Sequence, residues 1–121
     1  MDNSRKVSSL EYEMYTEKDF DAVKDIIIQD VPEAVEVILF GSYANGTARE
    51  HSDLDIMILL EKEYEWRERR TVLNRIYQDT AQKGYLIDFL LKKKENFDKD
   101  KHIPTLSKVI AKEGRVLWTK V

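Results

Sequence analysis

The residues of this chain best suited to chemistry are acids. Asp53 and Asp55 flank Leu54 at the head of the apolar run Leu54–Leu60. On a strand, side chains two positions apart leave the same face, so these two carboxylates stand side by side. Like charges at that spacing are unfavourable unless a cation sits between them. Short acids on a rigid strand suit Mg²⁺, which takes hard oxygen ligands and keeps part of its water shell. The pair alone does not decide the matter, because Asp-x-Asp is also common as a turn cap or on a solvated surface.

Two further features accompany it. Gly41-Ser42 follows directly on the run Val35–Phe40. A strand that enters Gly-Ser and then a helical turn exposes backbone N–H groups. Glycine lets a ligand approach the backbone and serine adds a hydroxyl donor, an arrangement suited to phosphate. An ordinary turn reads the same way in isolation. Asp88 lies among Tyr85, Leu86, Ile87, Phe89, Leu90 and Leu91, where an unpaired carboxylate is costly to bury. It could be satisfied at a strand edge or bulge. The core-like character of its strand favours an Asp88 directed at the charges of a neighbouring strand.

These residues need elements to hold them. Thr16-Glu17-Lys18-Asp19 reads as a helix start, with Thr16 as N-cap and acids in the first turn. Phe20, Val23 and Ile27 recur at helical spacing until Pro32 stops the pattern. Val35–Phe40 is β-branched and reads as a strand, and 41–52 as a loop with one helical turn. Leu54–Leu60, apolar on both faces after Asp55, reads as a covered central strand. Glu63–Lys83 predicts the longest helix, with Val72, Leu73, Ile76 and Tyr77 as its buried stripe and Gly84 at its C-terminal cap. Tyr85–Leu91 reads as a third strand, Lys92–Lys101 as loop or a short helix, Pro104–Glu113 as a last helix closed by Gly114, and Arg115–Thr119 as a short edge strand. Residues 1–15 show no period and read as a flexible arm, leaving 16–121 as a single domain.

Composition bounds the function. A chain of 121 residues, 42% apolar and 36% charged, supports one compact core under a charged surface. A net charge of −3 lacks the basic excess of a nucleic-acid module, so direct nucleic-acid binding is not expected. Polyphosphate ligands stay open, since a divalent metal supplies positive charge. The absence of cysteine excludes disulfides, thiolate zinc sites and cysteine nucleophiles. Met1–Ser9 is polar, without the apolar stretch of a signal peptide, and the longest apolar run, Ile56–Leu60, is far short of a membrane span; a cytoplasmic location without membrane contact is the expectation. Trp66 amid Arg67, Arg69 and Arg70 reads as a helix face laced with salt bridges, Lys92-Lys93-Lys94 as a solubilising loop, and His51 and His102 as surface loop residues.

Taken together, Gly41-Ser42, ten intervening residues, Asp53-Leu54-Asp55 and a later strand with Asp88 form a pattern. The stretch from Phe40 to Ile56 resembles the DNA polymerase beta-like nucleotidyltransferase superfamily, specifically its minimal nucleotidyltransferase branch, and the element order extends the resemblance over 16–119. The resemblance implies an α/β (α+β) domain: a small mixed sheet of about four strands with flanking helices. It implies that Gly41 and Ser42 hold a nucleoside triphosphate, ATP or another, while Asp53, Asp55 and Asp88 are catalytic and bind two Mg²⁺ ions. Relatives often carry Arg after the Ala of the Gly-Ser turn where this chain has Asn45, which removes whatever contact that Arg makes and leaves the acids complete. The branch further implies transfer of AMP to a small helical HEPN-domain partner, the chain acting as antitoxin of a toxin–antitoxin pair. A small-molecule transferase with a shared acceptor site and a non-catalytic binding module are the alternatives, and a homo-oligomer is left open.

Overall fold

The structure, a computed structural model, describes residues 14–121. The expected arm, 1–15, lies outside the described residues except for Met14 and Tyr15. Helix α1 (Glu17–Asp30) starts where Asp19 folds back to accept the Thr16 N–H at 2.7 Å, satisfying the helix entry as the first-turn acids suggested. Strand β1 (Ala34–Phe40) follows, then α2 (Ser42–Asn45), β2 (Leu54–Leu60), α3 (Trp66–Gln82), β3 (Ile87–Lys93), α4 (Lys94–Asp100), α5 (Leu106–Glu113) and β4 (Arg115–Thr119).

The four strands form one sheet in the order β3-β2-β1-β4. Strand β1 runs antiparallel to both β2 and β4, whereas β2 and β3 are parallel. A parallel pair needs a crossover, and α3 supplies it. The expected mixed four-stranded sheet with flanking helices is therefore present.

Alternation along the strands divides the core. One face carries Val37, Leu39, Ile56, Ile58, Phe89 and Leu91 under α1 (Phe20, Val23, Ile27) and α3 (Val72, Ile76). The other carries Ile38, Met57 and Leu59 against Phe97 of α4 and Ile110 of α5. Strand β2 is covered on both sides, which is why its apolar run is unbroken after Asp55.

Three local readings change. Residues 92–101 take the short-helix alternative at Lys94–Asp100, and the difference is at their start, where Lys92 and Lys93 finish β3 instead of forming a solubilising loop. That helix has one buried anchor, Phe97, and is supported by the Lys94–Asp98 pair one turn apart and by Lys92–Asp100, so no apolar period announced it. Tyr77, expected in the buried stripe, is 39% exposed. Its ring meets Phe89 edge-on at 5.1 Å and its hydroxyl accepts the Phe89 N–H at 3.0 Å, so it shields the open edge of β3. On the first turns of α3 the guanidinium groups of Arg67 and Arg70 lie over the Trp66 ring at 5.2 and 5.7 Å, where salt bridges were expected; Glu68 alone there pairs, with Lys62, among the described residues.

Candidate active site

Strand β1 ends at Phe40, whose register partner on β2 is Asp55, whose partner on β3 is Asp88. Adjacent strands lie about 4.8 Å apart, so the Gly-Ser turn, the Asp-x-Asp motif and the third acid meet in one row at one end of the sheet. Asp53 sits one residue before β2 begins and is exposed, as is Asp88; Asp55 between them is half-buried. Asp88 is exposed and stands beside Asp55 on the neighbouring strand, whose carboxyl feels its charge.

Gly41 is required twice over. Its φ of +74° is a region that side chains rarely adopt, and a Cβ there would collide with Oδ2 of Asp55. The close approach read from the sequence as ligand access is, in the folded chain, first an approach to Asp55. Beyond it, α2 is a single turn: the N–H groups of Ala44 and Asn45 donate to the Gly41 carbonyl at 3.0 and 3.1 Å. Gly46, left-handed at φ +84°, closes that turn.

The electrostatics match this crowding. Burial pushes the Asp55 carboxyl up from the usual carboxylate range, with the charge of Asp88 next in effect and that of Asp53 after it. Among the described residues no cationic side chain offsets these causes. Oxygen-only, like-charged and half-exposed groups are a hard donor set of the kind a divalent cation takes. As the side chains stand, no three or more His, Cys, Asp or Glu among the described residues converge on one ion position. Asp53 and Asp88 are exposed, so rotation about their side-chain bonds is what would close the set around Asp55.

Asn45 has a local task. Its Oδ1 accepts both the N–H and the hydroxyl of Thr47, at 3.1 and 2.6 Å, pinning the exit of α2. His51 is exposed in a left-handed conformation, φ 70°, in the turn that delivers Asp53. That turn is held by Ser52, whose N–H donates to the Arg49 carbonyl and whose hydroxyl accepts the Arg49 N–H. His102 is exposed, and Lys92, Lys93 and Lys94 are engaged with Asp100, Glu95 and Asp98.

A tyrosine cluster supports the site from beneath, and the sequence reading missed it. The Tyr43 ring of α2 lies tilted against Tyr15 at 5.6 Å and edge-on to Phe20 at 5.9 Å, and Tyr15 meets Tyr85 edge-on at 5.7 Å. The Tyr43 hydroxyl accepts the Tyr15 N–H, the Tyr15 hydroxyl accepts the Leu86 N–H, and the Tyr85 hydroxyl donates to Asp19. The Gly-Ser turn and the entry to β3 are thereby tied to the start of α1. A signal existed in the three tyrosines beside apolar runs, but nothing local shows that they meet.

Comparison with known proteins bears on the family and the fold. The sequence description of the family "Nucleotidyltransferase domain" matches residues 21–117. A Methanocaldococcus jannaschii protein named as a candidate protein adenylyltransferase is 31% identical over 83 residues, 69% of this chain and 77% of that protein. Among solved structures, a toxin–antitoxin complex with AMP-PNP superposes with a TM-score of 0.60 at 18% identity, over 84% of this chain and 73% of the other. A tri-AMPylated HEPN toxin in complex with its MNT antitoxin, from Shewanella oneidensis, gives a TM-score of 0.52 at 16% identity, over 84% and 70%. At such identities the two structures speak to the fold.

Proposed function

The chain belongs to the nucleotidyltransferase domain family and is a nucleotidyltransferase, and we propose that it uses Mg²⁺ to transfer AMP from ATP to a partner protein, as the antitoxin of a HEPN/MNT pair. The observation that carries the catalytic part is the row Gly41–Asp55–Asp88, in which the turn and both acids are in register on adjacent strands. The protein acceptor is supported by the named activity of the archaeal relative and by the toxin–antitoxin composition of the solved neighbours.

In this reading the acceptor oxygen attacks the α-phosphorus of ATP, the new P–O bond forms as the bond to the bridging α,β-oxygen breaks, and pyrophosphate leaves. Gly41 and Ser42 seat the triphosphate through backbone N–H groups and the Ser42 hydroxyl. Asp53 and Asp55 would hold two Mg²⁺ ions, with Asp88 completing the nucleophile-side ion. When bound, the ions neutralise the charge that develops on the leaving group and the attacking oxygen. Asp88 accepts the proton the acceptor hydroxyl loses. Positioning and charge then carry most of the rate, as is general for phosphoryl chemistry.

The test is incubation with α-labelled ATP, Mg²⁺ and a co-purifying helical partner, read by mass spectrometry as addition of AMP. Asp88→Asn should abolish transfer and largely spare ATP binding. Normal transfer by Asp88→Asn would overturn the assignment, and label on a small molecule instead of protein would replace the protein acceptor.

A further inference from the structure

The Gly-Ser turn and the entry to β3 flank β2 from strands that are not neighbours in the sheet. Pairing of β1 with β2 ends at Phe40 and Asp55, and pairing of β2 with β3 starts at Leu54 and Ile87. Residues 41–46 and 85–86 thus lie beyond the ladders. Inside the turn, Ala44 and Asn45 donate to Gly41, and Thr47 donates to Ser42 and Asn45. These bonds close the turn on itself and do not fix its distance from β3. One residue touches both overhangs. The Tyr15 N–H donates to the Tyr43 hydroxyl on the turn at 3.1 Å, and the Tyr15 hydroxyl accepts the Leu86 N–H ahead of β3 at 2.9 Å. Its ring lies 5.6 Å from that of Tyr43 and 5.7 Å from that of Tyr85. The Leu86 carbonyl accepts the Leu54 N–H at 3.0 Å, so Leu86 is gripped from β2 on one side and from Tyr15 on the other. Asp88 follows two residues later.

We propose that Tyr15 is a positioning residue of the transfer reaction, a strut that sets the spacing between the triphosphate seat at Gly41-Ser42 and the Asp88 carboxylate. This rests on the roles given to those residues above and adds what holds them at one distance. Tyr15 and Tyr43 pack with Tyr85 against the core under α1 and α3, while Leu86 and Asp88 alternate to the exposed side of the strand. Tyr15 therefore acts through the two overhangs and not on the reacting atoms. A tyrosine suits the task, because a rigid ring packs on the core while its hydroxyl reaches a polar partner. In-line transfer needs the α-phosphorus, held from the turn, and the attacking oxygen, held from Asp88, at near-attack separation. A displacement of about 1 Å there costs about a hundredfold. Seating ATP needs the turn alone. Loosening the strut at its β3 end thus lowers kcat and leaves the KM for ATP in place.

Tyr15→Phe keeps the ring and the N–H bond to Tyr43 and removes only the acceptor of the Leu86 N–H. Transfer is measured with α-labelled ATP, Mg²⁺ and the co-purifying helical partner as acceptor. For this variant kcat should fall about tenfold and the KM for ATP stay within about twofold of wild type. The Leu86 amide should also exchange faster with solvent. Tyr43→Phe frees the other end and should lower kcat as well. The double variant should lose little more than either single one, since one strut is broken only once. Tyr64→Phe is the reference for lost stability: its hydroxyl donates to Glu33 beyond the opposite end of β2. It should lower the unfolding midpoint and leave kcat and KM unchanged. Unchanged kcat in Tyr15→Phe, a raised KM with kcat retained, additive losses in the double variant, or an equal loss of kcat in Tyr64→Phe would each overturn the proposal. Calorimetry with Mg²⁺ and ATP separates it from the function beneath it. A wild type that neither binds ATP nor transfers AMP overturns the site roles and the strut's part in them, and faster Leu86 exchange in Tyr15→Phe would then mark a structural tie alone.

Discussion

Two groups of acids lie on opposite faces of the same sheet, and in each one member, Asp55 or Asp30, is pushed towards protonation by burial first and by a neighbouring carboxylate next. Asp55 belongs to the face under α4 and α5, is half-buried, and has Asp88 and Asp53 for neighbours with no cation among the described residues to offset them. Asp30, at the end of α1, is 5% exposed, and its carboxyl is raised to about 6, by burial first and by the Asp79 carboxyl of α3 next. Arg75 works against that rise, and its guanidinium also donates to the Asp30 backbone carbonyl at 3.4 Å. Among the described residues Oδ2 of Asp30 has no donor, as expected of an acid that must share a proton with another acid. The difference is access. A closed pair resolves its repulsion with a proton, whereas an open row at a strand end leaves the positive charge to be brought from outside.

That contrast is broken most sharply by neutralising one acid on each face. Asp55→Asn should lower transfer about a thousandfold, the upper end of what removal of one group facing developing charge costs, while thermal stability holds or rises. Asp30→Asn should leave transfer unchanged. Equal loss of activity in both variants, measured as initial rates at saturating ATP, would mean that the two groups of acids are not functionally distinct.

Gly41→Ala tests whether the open row depends on its contact with the turn. A side chain at φ +74° costs about 1–2 kcal/mol, and displacement of the Asp55 carboxylate comes on top of it. A loss of about 3 kcal/mol in denaturant unfolding is expected, with transfer reduced even below the melting transition. Retained activity at full stability would show that the turn and Asp55 are independent.

Asp30→Asn sharpens the closed side through pH. The folded-state value of about 6 exceeds the ordinary 3.8, so the native chain holds a proton that the unfolded chain has released across that window. The stabilisation from that proton is complete below about pH 4 and is lost as pH rises through about 6. The asparagine variant should therefore be more stable than wild type at pH 7.5, by about 2 kcal/mol, and the gain should vanish by pH 4. This is less than the roughly 3 kcal/mol that two units are worth in full, because the new amide also needs partners. A gain independent of pH would deny the shared proton.

How far the sequence led follows from the range of each signal. Asp53, Asp55, Gly41 and Ser42 were legible because strand period and chain spacing are local. The apolar run 54–60 announced a strand covered on both faces for the same reason. Asp88 could be found as an acid in a strand, but its placement beside Asp55 is a register between distant segments, and its exposure depends on β3 being the outermost strand. Asp30 and Asp79 read as ordinary charges of two helices; that they oppose one another depends on how α1 crosses α3. Tyr15 looked like part of an arm because its partners, Tyr43, Tyr85 and the Leu86 amide, come from two other parts of the chain. Helix α4 is held by ion pairs and one phenylalanine, which leave no apolar period to read.

The smallest effect asks how the two faces communicate through β3. Asp88 is followed by Phe89, whose side chain is buried under α3 and whose N–H would otherwise lie open on the sheet edge. The Tyr77 hydroxyl accepts that N–H at 3.0 Å, so the helix of the closed face fixes the backbone next to the acid of the open face. Tyr77→Phe keeps the ring against Phe89 and removes only the acceptor. Water can reach a half-exposed edge, so the cost should be about 1 kcal/mol in unfolding, together with faster hydrogen exchange at the Phe89 amide. If Asp88 needs a fixed strand, transfer should fall by a few-fold while ATP binding is unchanged. Faster exchange with undiminished transfer would show that the sheet register alone positions Asp88, and that the covered face contributes stability but not geometry to the row of acids.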